Sequence, residues 1–225
     1  MTYRLQKEIE NLKQQILTLV AEVEENVRLS VTSLIKYDTK LAEKVIKADL
    51  KIDQMEIELE EECLKILALH QPVANDLRFI IAVLKINNDL ERISDLAVNI
   101  AERAKFLVTR KRINIPFDFS EMAQKTQDML RKSIDALITL DTNTAFEVCK
   151  ADDEVDALNR EFYNIVKSVV RKNPEYIEDM THYLGVSRHL ERMADSATNI
   201  AEDIIYMIDG NIVRHHVEDY SFLSG

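Results

Sequence analysis

The chain has 225 residues and carries 40 Asp and Glu against 29 Lys and Arg, which gives a net charge of -11. This acidity argues against nucleic acid as a partner, and no apolar run reaches the roughly 20 residues that a membrane-spanning helix needs. The two cysteines, Cys63 and Cys149, form no disulfide framework, and the charged N-terminus has no signal-peptide segment, so we expect a cytoplasmic protein. Only 3 Gly and 3 Pro occur, which predicts long helices with few turns.

The first half of the chain is predicted to form three helices. The first helix covers about residues 3–36 and ends at the turn "YDTK", where Asp38 or Thr39 is a suitable N-cap for the second helix. The second helix continues to about Leu69. The turn "HQPVAND" follows, with Pro72 predicted in the first turn of a third helix that continues to about Val108.

The segment "TRKRINIPFDFS", residues 109–120, interrupts the helical periodicity and marks the boundary between two halves. In the second half the turns "LDTN" and "RKNPEY" separate three further helices, with Pro174 near the start of the sixth helix and Gly210 at its end. The remaining polar tail is expected to be partly mobile. We therefore predict a first domain at residues 1–110 and a second domain, with the tail, at residues 111–225.

An internal repeat relates the two halves. "LERISDLAVNIAE" begins at Leu90 and "LERMADSATNIAE" at Leu190, and nine of the thirteen positions are identical. Upstream, residues 30–53 match residues 133–156 at an offset of 103, so the loop before the last helix is expected to be three residues longer in the first half. The duplication predicts an all-α protein of two tandem, pseudo-symmetric, antiparallel three-helix bundles, joined end to end or side by side, with six helices of roughly 30 residues each.

Acidic residues form continuous stripes on these helices, beside the apolar stripe that faces the core. Four side chains at helical spacing follow one another in each copy: Glu91, Asp95, Asn99 and Glu102, then Glu191, Asp195, Asn199 and Glu202. The preceding helix supplies a second stripe in each half: Asp49, Asp53 and Glu56, then Asp152 and Asp156. Like charges four residues apart cost a helix a few tenths of a kcal/mol, so retention of these acids in both copies favours a cation site.

The simpler alternative is that these acidic residues form an ordinary solvated helix surface, which explains most single acidic pairs on helices. A bound cation would be held by oxygen ligands, which suit Mg, Ca, Mn and ferric iron, and the absence of Cys and His at ligand spacing disfavours a structural zinc site. Carboxylates from two adjacent helices could bridge more than one ion. Asn99 and Asn199 are weaker candidate ligands, because an amide on a helix often serves in a hydrogen bond between helices.

Three other classes of protein were considered as alternatives. A ferritin-like di-metal carboxylate protein requires Glu-x-x-His pairs, and no Glu stands three residues before any of the five histidines, although Asp179 precedes His182. A hydrolase is also unsupported, since the chain has no Gly-x-Ser-x-Gly motif. A generic helical scaffold without metal is the remaining alternative, and we expect no enzymatic activity.

The strings "ILALHQPVANDLRFI" and "NNDLERISDLAVNIAE" closely resemble the PhoU family of negative regulators of phosphate uptake and of the phosphate-starvation response. The resemblance implies two PhoU domains whose acidic motifs hold multinuclear clusters of metal ions such as Fe, Mn, Mg or Zn. By position these motifs are Asp49/Asp53 with Glu91/Asp95, and Asp152/Asp156 with Glu191/Asp195. The other acids of the same stripes, Glu56, Glu102 and Glu202, are weaker candidate ligands. Ser94 and Ala194 stand where the family often has Gly, and the second half lacks the QPVA string.

The resemblance also implies partners. Family members connect the ATPase subunit of the phosphate ABC transporter with the phosphate-sensing histidine kinase, which they hold in its phosphatase state when phosphate is plentiful. We expect this chain to contact the membrane only through these partners and to form a homodimer.

Overall fold

The computed structural model describes residues 3–210 and consists of six long helices. Their bounds are Tyr3–Lys36 (α1), Thr39–His70 (α2), Ala74–Val108 (α3), Phe119–Thr139 (α4), Thr142–Lys172 (α5) and Ile177–Asp209 (α6), with a 3-10 turn at Pro174–Tyr176 before α6. No strand occurs among residues 3–210, so the predicted all-α fold is confirmed. The predicted C-terminal tail, with His215 and His216, lies outside the described residues.

The helix ends follow the capping signals of the sequence. The Asp38 carboxylate accepts hydrogen bonds from the backbone N–H groups of Lys40 and Leu41 at 2.9 and 3.2 Å and so caps α2. Its repeat counterpart Asp141 caps α5 in the same way. Gly210 ends α6 with φ of 74°, a left-handed conformation that glycine adopts without steric cost.

The connection between α2 and α3 differs from its prediction. It has three residues, 71–73, and its counterpart in the second half has four, 173–176, so the longer first loop was a wrong expectation. The additional residues extend α2 and α3 instead. Pro72 is also outside the first turn of α3, because the chain leaves α2 through a left-handed Gln71 and buries Pro72 before the helix begins at Ala74.

The segment between α3 and α4 is extended. Ile113, Ile115 and Phe117 are partly buried against the core, while the residues between them are exposed. This alternation is typical of an extended chain lying on an apolar surface. Because the segment covers the end of the second half in this way, α4 has only 21 residues, shorter than the predicted length near 30.

The two halves pack side by side, with α3 against α6 and α1 against α4, and one continuous apolar core runs through both. Four buried alanines, Ala97 and Ala101 with Ala197 and Ala201, belong to the two helices at this interface. Polar contacts cross it as well: Lys85 Nζ lies 2.8 Å from an Asp203 carboxylate oxygen, and Arg103 Nε donates to His189 Nε2 at 3.1 Å. Gly185 makes room for the Arg103 guanidinium, since a Cβ at residue 185 would lie 2.3 Å from Arg103 Cζ.

Candidate metal centre

The first acidic cluster consists of Asp49, Asp53 and Glu56 on α2 with Glu91 and Asp95 on α3. Burial raises the pKa of Asp49, and the negative charges of Asp53 and Asp95 raise it further. Burial likewise raises the pKa of Glu91, with added contributions from Asp95 and then from the three acids of α2. These mutual effects place the two predicted stripes opposite each other across α2 and α3.

A serine hydroxyl supports the first acidic cluster from within the bundle. Ser94 Oγ donates to Asp49 Oδ1 at 2.6 Å, and the Asn26 amide on α1 donates to Ser94 Oγ at 3.2 Å. The bond from Ser94 opposes part of the rise in the Asp49 pKa. The sequence showed Ser94 only as a small residue at a position where the family often has Gly, and this hydrogen bond was not predicted. The contrast with Ala194 in the second copy was the available signal.

The second acidic cluster consists of Asp152 and Asp156 on α5 with Glu191 and Asp195 on α6. Burial raises the pKa of Asp152 to about 6, and the charges of Asp195 and Asp156 add to the effect. The pKa of Glu191 and that of Asp195 are also raised, in each case first by burial and then by neighbouring carboxylates. The structure therefore brings the second pair of predicted stripes together as well.

Positive charge distinguishes the second acidic cluster from the first. The guanidinium groups of Arg92 and Arg192 lower the pKa of Asp195, opposing its rise. Arg92 belongs to α3, so one half of the protein acts on the carboxylates of the other. Arg160 Nη1 also lies 3.0 Å from a carboxylate oxygen of Asp156 on the same helix. Each of these three arginines reduces the net negative charge of the second acidic cluster.

The weaker candidate ligands are placed differently in the two halves. Asn99 and Glu102 are exposed on α3 and make no side-chain hydrogen bond or ion pair within the described part of the chain. Asn199 and Glu202 line a recess of about 560 Å³ between α3 and α6. Glu202 lies near the second acidic cluster, since it and Asp152 both raise the pKa of the Cys149 thiol. Asn199 lies beside Asp89, whose pKa burial raises to about 6.

The donor chemistry of both clusters fits a hard cation. Every candidate ligand is a carboxylate. Burial is the main cause of their raised pKa values, and the remaining part comes from repulsion between neighbouring carboxylates, which a cation would cancel. Burial raises the thiol pKa of Cys63 and of Cys149 to about 12, which disfavours thiolate ligation. Among residues 3–210, no three His, Cys, Asp or Glu side chains already surround one point, so the carboxylates would have to rotate to share an ion.

The histidines within the described residues are engaged elsewhere. His70 Nε2 lies 2.6 Å from a Glu8 carboxylate oxygen, and the His182 ring stacks on Phe106 with ring centroids 3.8 Å apart. His189 accepts its hydrogen bond from Arg103. None of the three belongs to either acidic cluster, so any ion held there would be held by oxygen.

Comparison with known proteins assigns the family. The family model described as PhoU domain matches residues 16–104 and 119–204, one match in each half. The chain belongs to the PhoU family. The resemblance predicted from the two sequence strings is thereby confirmed.

Similar PhoU proteins cover almost the whole chain. The "phosphate-specific transport system accessory protein PhoU homolog" of Aquifex aeolicus is 37% identical over 96% of this chain and 98% of the relative. The homolog of Clostridium acetobutylicum is 35% identical over 92% of this chain and 95% of the relative. The crystal structure of PhoU from Pseudomonas aeruginosa superposes with a TM-score of 0.86 at 34% identity and covers 92% of this chain and 99% of that one.

The same fold recurs in the phosphate transport system regulatory protein PhoU from Streptococcus pneumoniae, with a TM-score of 0.81 at 28% identity and coverage of 93% of this chain and 99% of that one.

No helix within residues 3–210 combines the length and apolar character that crossing a membrane requires.

Proposed function

We propose that this protein is a cytoplasmic regulator of phosphate uptake that represses the transporter and the phosphate-starvation response when phosphate is plentiful. The observation that carries the proposal is the match of both halves to the PhoU domain, together with relatives named as accessory proteins of the phosphate-specific transport system. The protein acts by binding its partners and catalyses no reaction. Its partners are the ATPase subunit of the transporter and the phosphate-sensing histidine kinase.

The acidic clusters give this regulator two cation sites. Asp49, Asp53, Glu91 and Asp95 hold metal between α2 and α3, and their repeat counterparts Asp152, Asp156, Glu191 and Asp195 hold metal between α5 and α6. A bound cation cancels the repulsion among the carboxylates. The helices of each pair then keep a fixed spacing, and the surface around each cluster keeps a fixed charge.

An exposed apolar stripe on α2 supports a docking role. Leu50, Ile57 and Leu64 are 73%, 48% and 52% exposed, and their spacing of seven residues places them on one face of the helix. Acidic residues flank the middle of this stripe, with Glu58, Glu60 and Glu61 near Ile57. The lysines at its two ends, Lys51 and Lys65, already pair with Glu22 and Glu62. The corresponding positions of α5 are Asp153, Arg160 and Lys167, so the stripe belongs to the first half alone.

The charge around the stripe indicates which kind of partner binds to it. A second copy would bring its own acidic residues close and would be repelled, whereas an amphipathic helix with Lys and Arg beside its apolar face would be attracted. We therefore assign this face to a transporter or kinase segment of that kind. The homodimer that we also propose uses a different surface.

Deletion of the gene tests the regulatory role. Phosphate-starvation genes should stay active in phosphate-rich medium, and the wild-type chain should silence them again. Normal repression in the deletion strain, with no second copy of the gene present, would rule out the role.

Charge reversal tests the part that the acidic clusters play in this regulation. A chain charge-reversed at Glu91, Asp95, Glu191 and Asp195 should restore repression only in part. Full restoration would show that regulation does not depend on the clusters.

The α2 face is tested by a triple change of Leu50, Ile57 and Leu64 to Ser. This variant should lose capture of the transporter ATPase or the kinase while keeping the helical content of the wild type. A control with Leu140→Ser and Ile177→Ser removes two hydrophobic side chains of similar exposure, 56% and 60%, from other places. Equal capture by the triple variant and the control would show that docking occurs elsewhere.

A further inference from the structure

A basic recess lies on the face of α5 and α6 in this otherwise acidic protein. It has a volume of about 450 Å³ and is lined by Asn159, Arg160, Tyr163 and Asn164 of α5 and by Leu184 and Arg188 of α6. Lys167 adds positive charge beside it, with Nζ 4.2 Å from the centroid of the Tyr163 ring. No carboxylate is among the residues that line the recess.

The internal repeat shows how unusual this composition is. At the corresponding positions the first half has Glu56, Ile57, Glu60 and Glu61 on α2, and Leu84 and Asn88 on α3. One apolar residue is kept, but three acids of the first half are replaced by two amides and a tyrosine. Two arginines also appear where the first half has none. The two copies thus offer opposite charge at equivalent places.

One hydrogen bond fixes the orientation of the Asn159 amide. Ser187 Oγ donates to Asn159 Oδ1 at 2.6 Å, which leaves the two amide N–H donors of Asn159 for the recess. The first half has a hydrogen bond at the equivalent place with different partners, since the Asn87 amide donates to a Glu56 carboxylate oxygen at 3.0 Å. The same position therefore presents an acceptor in the first half and a donor in the second.

The two guanidinium groups differ in their freedom. Arg188 makes no ion pair within 4 Å in the described part of the chain, so its donors are available. Arg160 pairs with Asp156, but both side chains are substantially exposed, at 66% and 39%, and an exposed pair of this kind is weak. An anion in the recess competes with Asp156 for Arg160.

We propose that this recess binds a small phosphoryl-bearing anion. Two guanidinium groups from neighbouring helices match the several oxygens of a phosphoryl group, and the amides of Asn159 and Asn164 with the Tyr163 hydroxyl supply neutral donors. The net charge of -11 opposes an anion only weakly at physiological salt, because interactions between exposed charges fade beyond about 8 Å. Free inorganic phosphates and nucleotides share this chemistry.

Calorimetric titration of the full chain tests the site, in metal-free buffer of physiological ionic strength with inorganic phosphate, pyrophosphate and ADP as probes. At least one probe should bind saturably, and Arg160→Gln with Arg188→Gln should weaken it at least about tenfold, as expected for loss of charge-assisted bonds. Arg28→Gln is the matched control, because Arg28 pairs with Glu25 on the same helix as Arg160 does with Asp156, and it should bind like wild type. The probe that binds most tightly identifies the source of the phosphoryl group.

Asp156→Asn provides an independent check, since it frees Arg160 and should strengthen binding. Absence of saturable binding below about 10 mM for all three probes would overturn the proposal. So would equal affinity of the double arginine variant and wild type, or weaker binding by Asp156→Asn. Circular dichroism confirms that each variant is folded, and none of these outcomes depends on the role in phosphate uptake.

Discussion

The Ser94 hydroxyl on α3 donates a 2.6 Å hydrogen bond to Asp49 on α2, whereas Ala194 provides no such donor at the corresponding place in the second half. We therefore expect the half-buried Asp49 carboxylate of the first acidic cluster to keep its negative charge more readily than Asp152 does in the second. Together with the arginines beside Asp195, this difference predicts that the first acidic cluster binds a cation more tightly than the second.

Exchange of the serine and the alanine tests this difference. Ser94→Ala should raise the pKa of Asp49 and cost roughly 1–3 kcal/mol of stability at neutral pH, because a hydrogen bond to a charged group is lost. Ala194→Ser should lower the pKa of Asp152. Carboxyl titration by NMR measures both values. Unchanged titration of Asp49 in the first variant would show that the bond has no influence on its charge.

The pH dependence of stability follows from Asp152, whose pKa is raised from an ordinary value near 3.8 to about 6. The folded protein binds this proton more tightly than the unfolded chain does, so metal-free stability should increase as pH falls from above 6 toward 4. Asp152→Asn removes the effect. The variant should be more stable than wild type above pH 6, and the difference should disappear near pH 4. Urea unfolding in EDTA measures the difference, and one that grows at low pH would contradict the assignment.

Arg92 on α3 should control the second acidic cluster from the other half of the protein. Arg92→Gln removes a charge that lowers the pKa of Asp195, so that pKa should rise and Mn²⁺ should bind the second acidic cluster about two- to fivefold more tightly. The first acidic cluster should be unaffected. Arg28→Gln is again the control of equal charge change. Equal effects of Arg92→Gln on both clusters would indicate a general change of surface charge.

Metal should stabilise the fold. Added Mn²⁺, Mg²⁺ or ferric iron should raise the Tm and EDTA should reverse the change, since a ligand that binds only the native state at 100 times its Kd contributes about 2.7 kcal/mol. Asp95→Asn with Asp195→Asn should raise the Tm of the metal-free protein by relieving repulsion, and should reduce the response to metal. Melting curves of the two proteins, with and without metal, check both effects. A wild type insensitive to metal would favour solvated acidic surfaces.

The duplicated sequence predicted most of the architecture. The matching turns and the caps such as Asp38 predicted the six helices. The acidic stripes retained in both copies predicted that carboxylates would face each other across α2/α3 and α5/α6. The side-by-side packing of the halves could not be predicted, because the buried alanines of α3 and α6 are equally compatible with other arrangements of two bundles. The length of α4 was missed because the apolar residues of the preceding segment follow a period of two.

The differences between the two acidic clusters could not be predicted from the sequence alone. Arg92 acts across the interface between the halves, and its position depends on how α3 lies against α6. Ser94 and Asp49 are 45 residues apart, so their bond depends on the register of α2 against α3. The charge reversal between the faces of α2 and α5 was present in the repeat alignment, but only the recess at Asn159 and Arg188 showed its significance.

Mn²⁺ binding to the metal-free wild type and to Asp95→Asn, Asp195→Asn and the double variant tests the central claim most directly. Calorimetric titration should show a tighter and a weaker class of site in the wild type. Asp95→Asn should lose the tighter class, Asp195→Asn the weaker, and the double variant both. Identical binding by all four proteins, or none by the wild type, would contradict the account of the acidic clusters as cation sites.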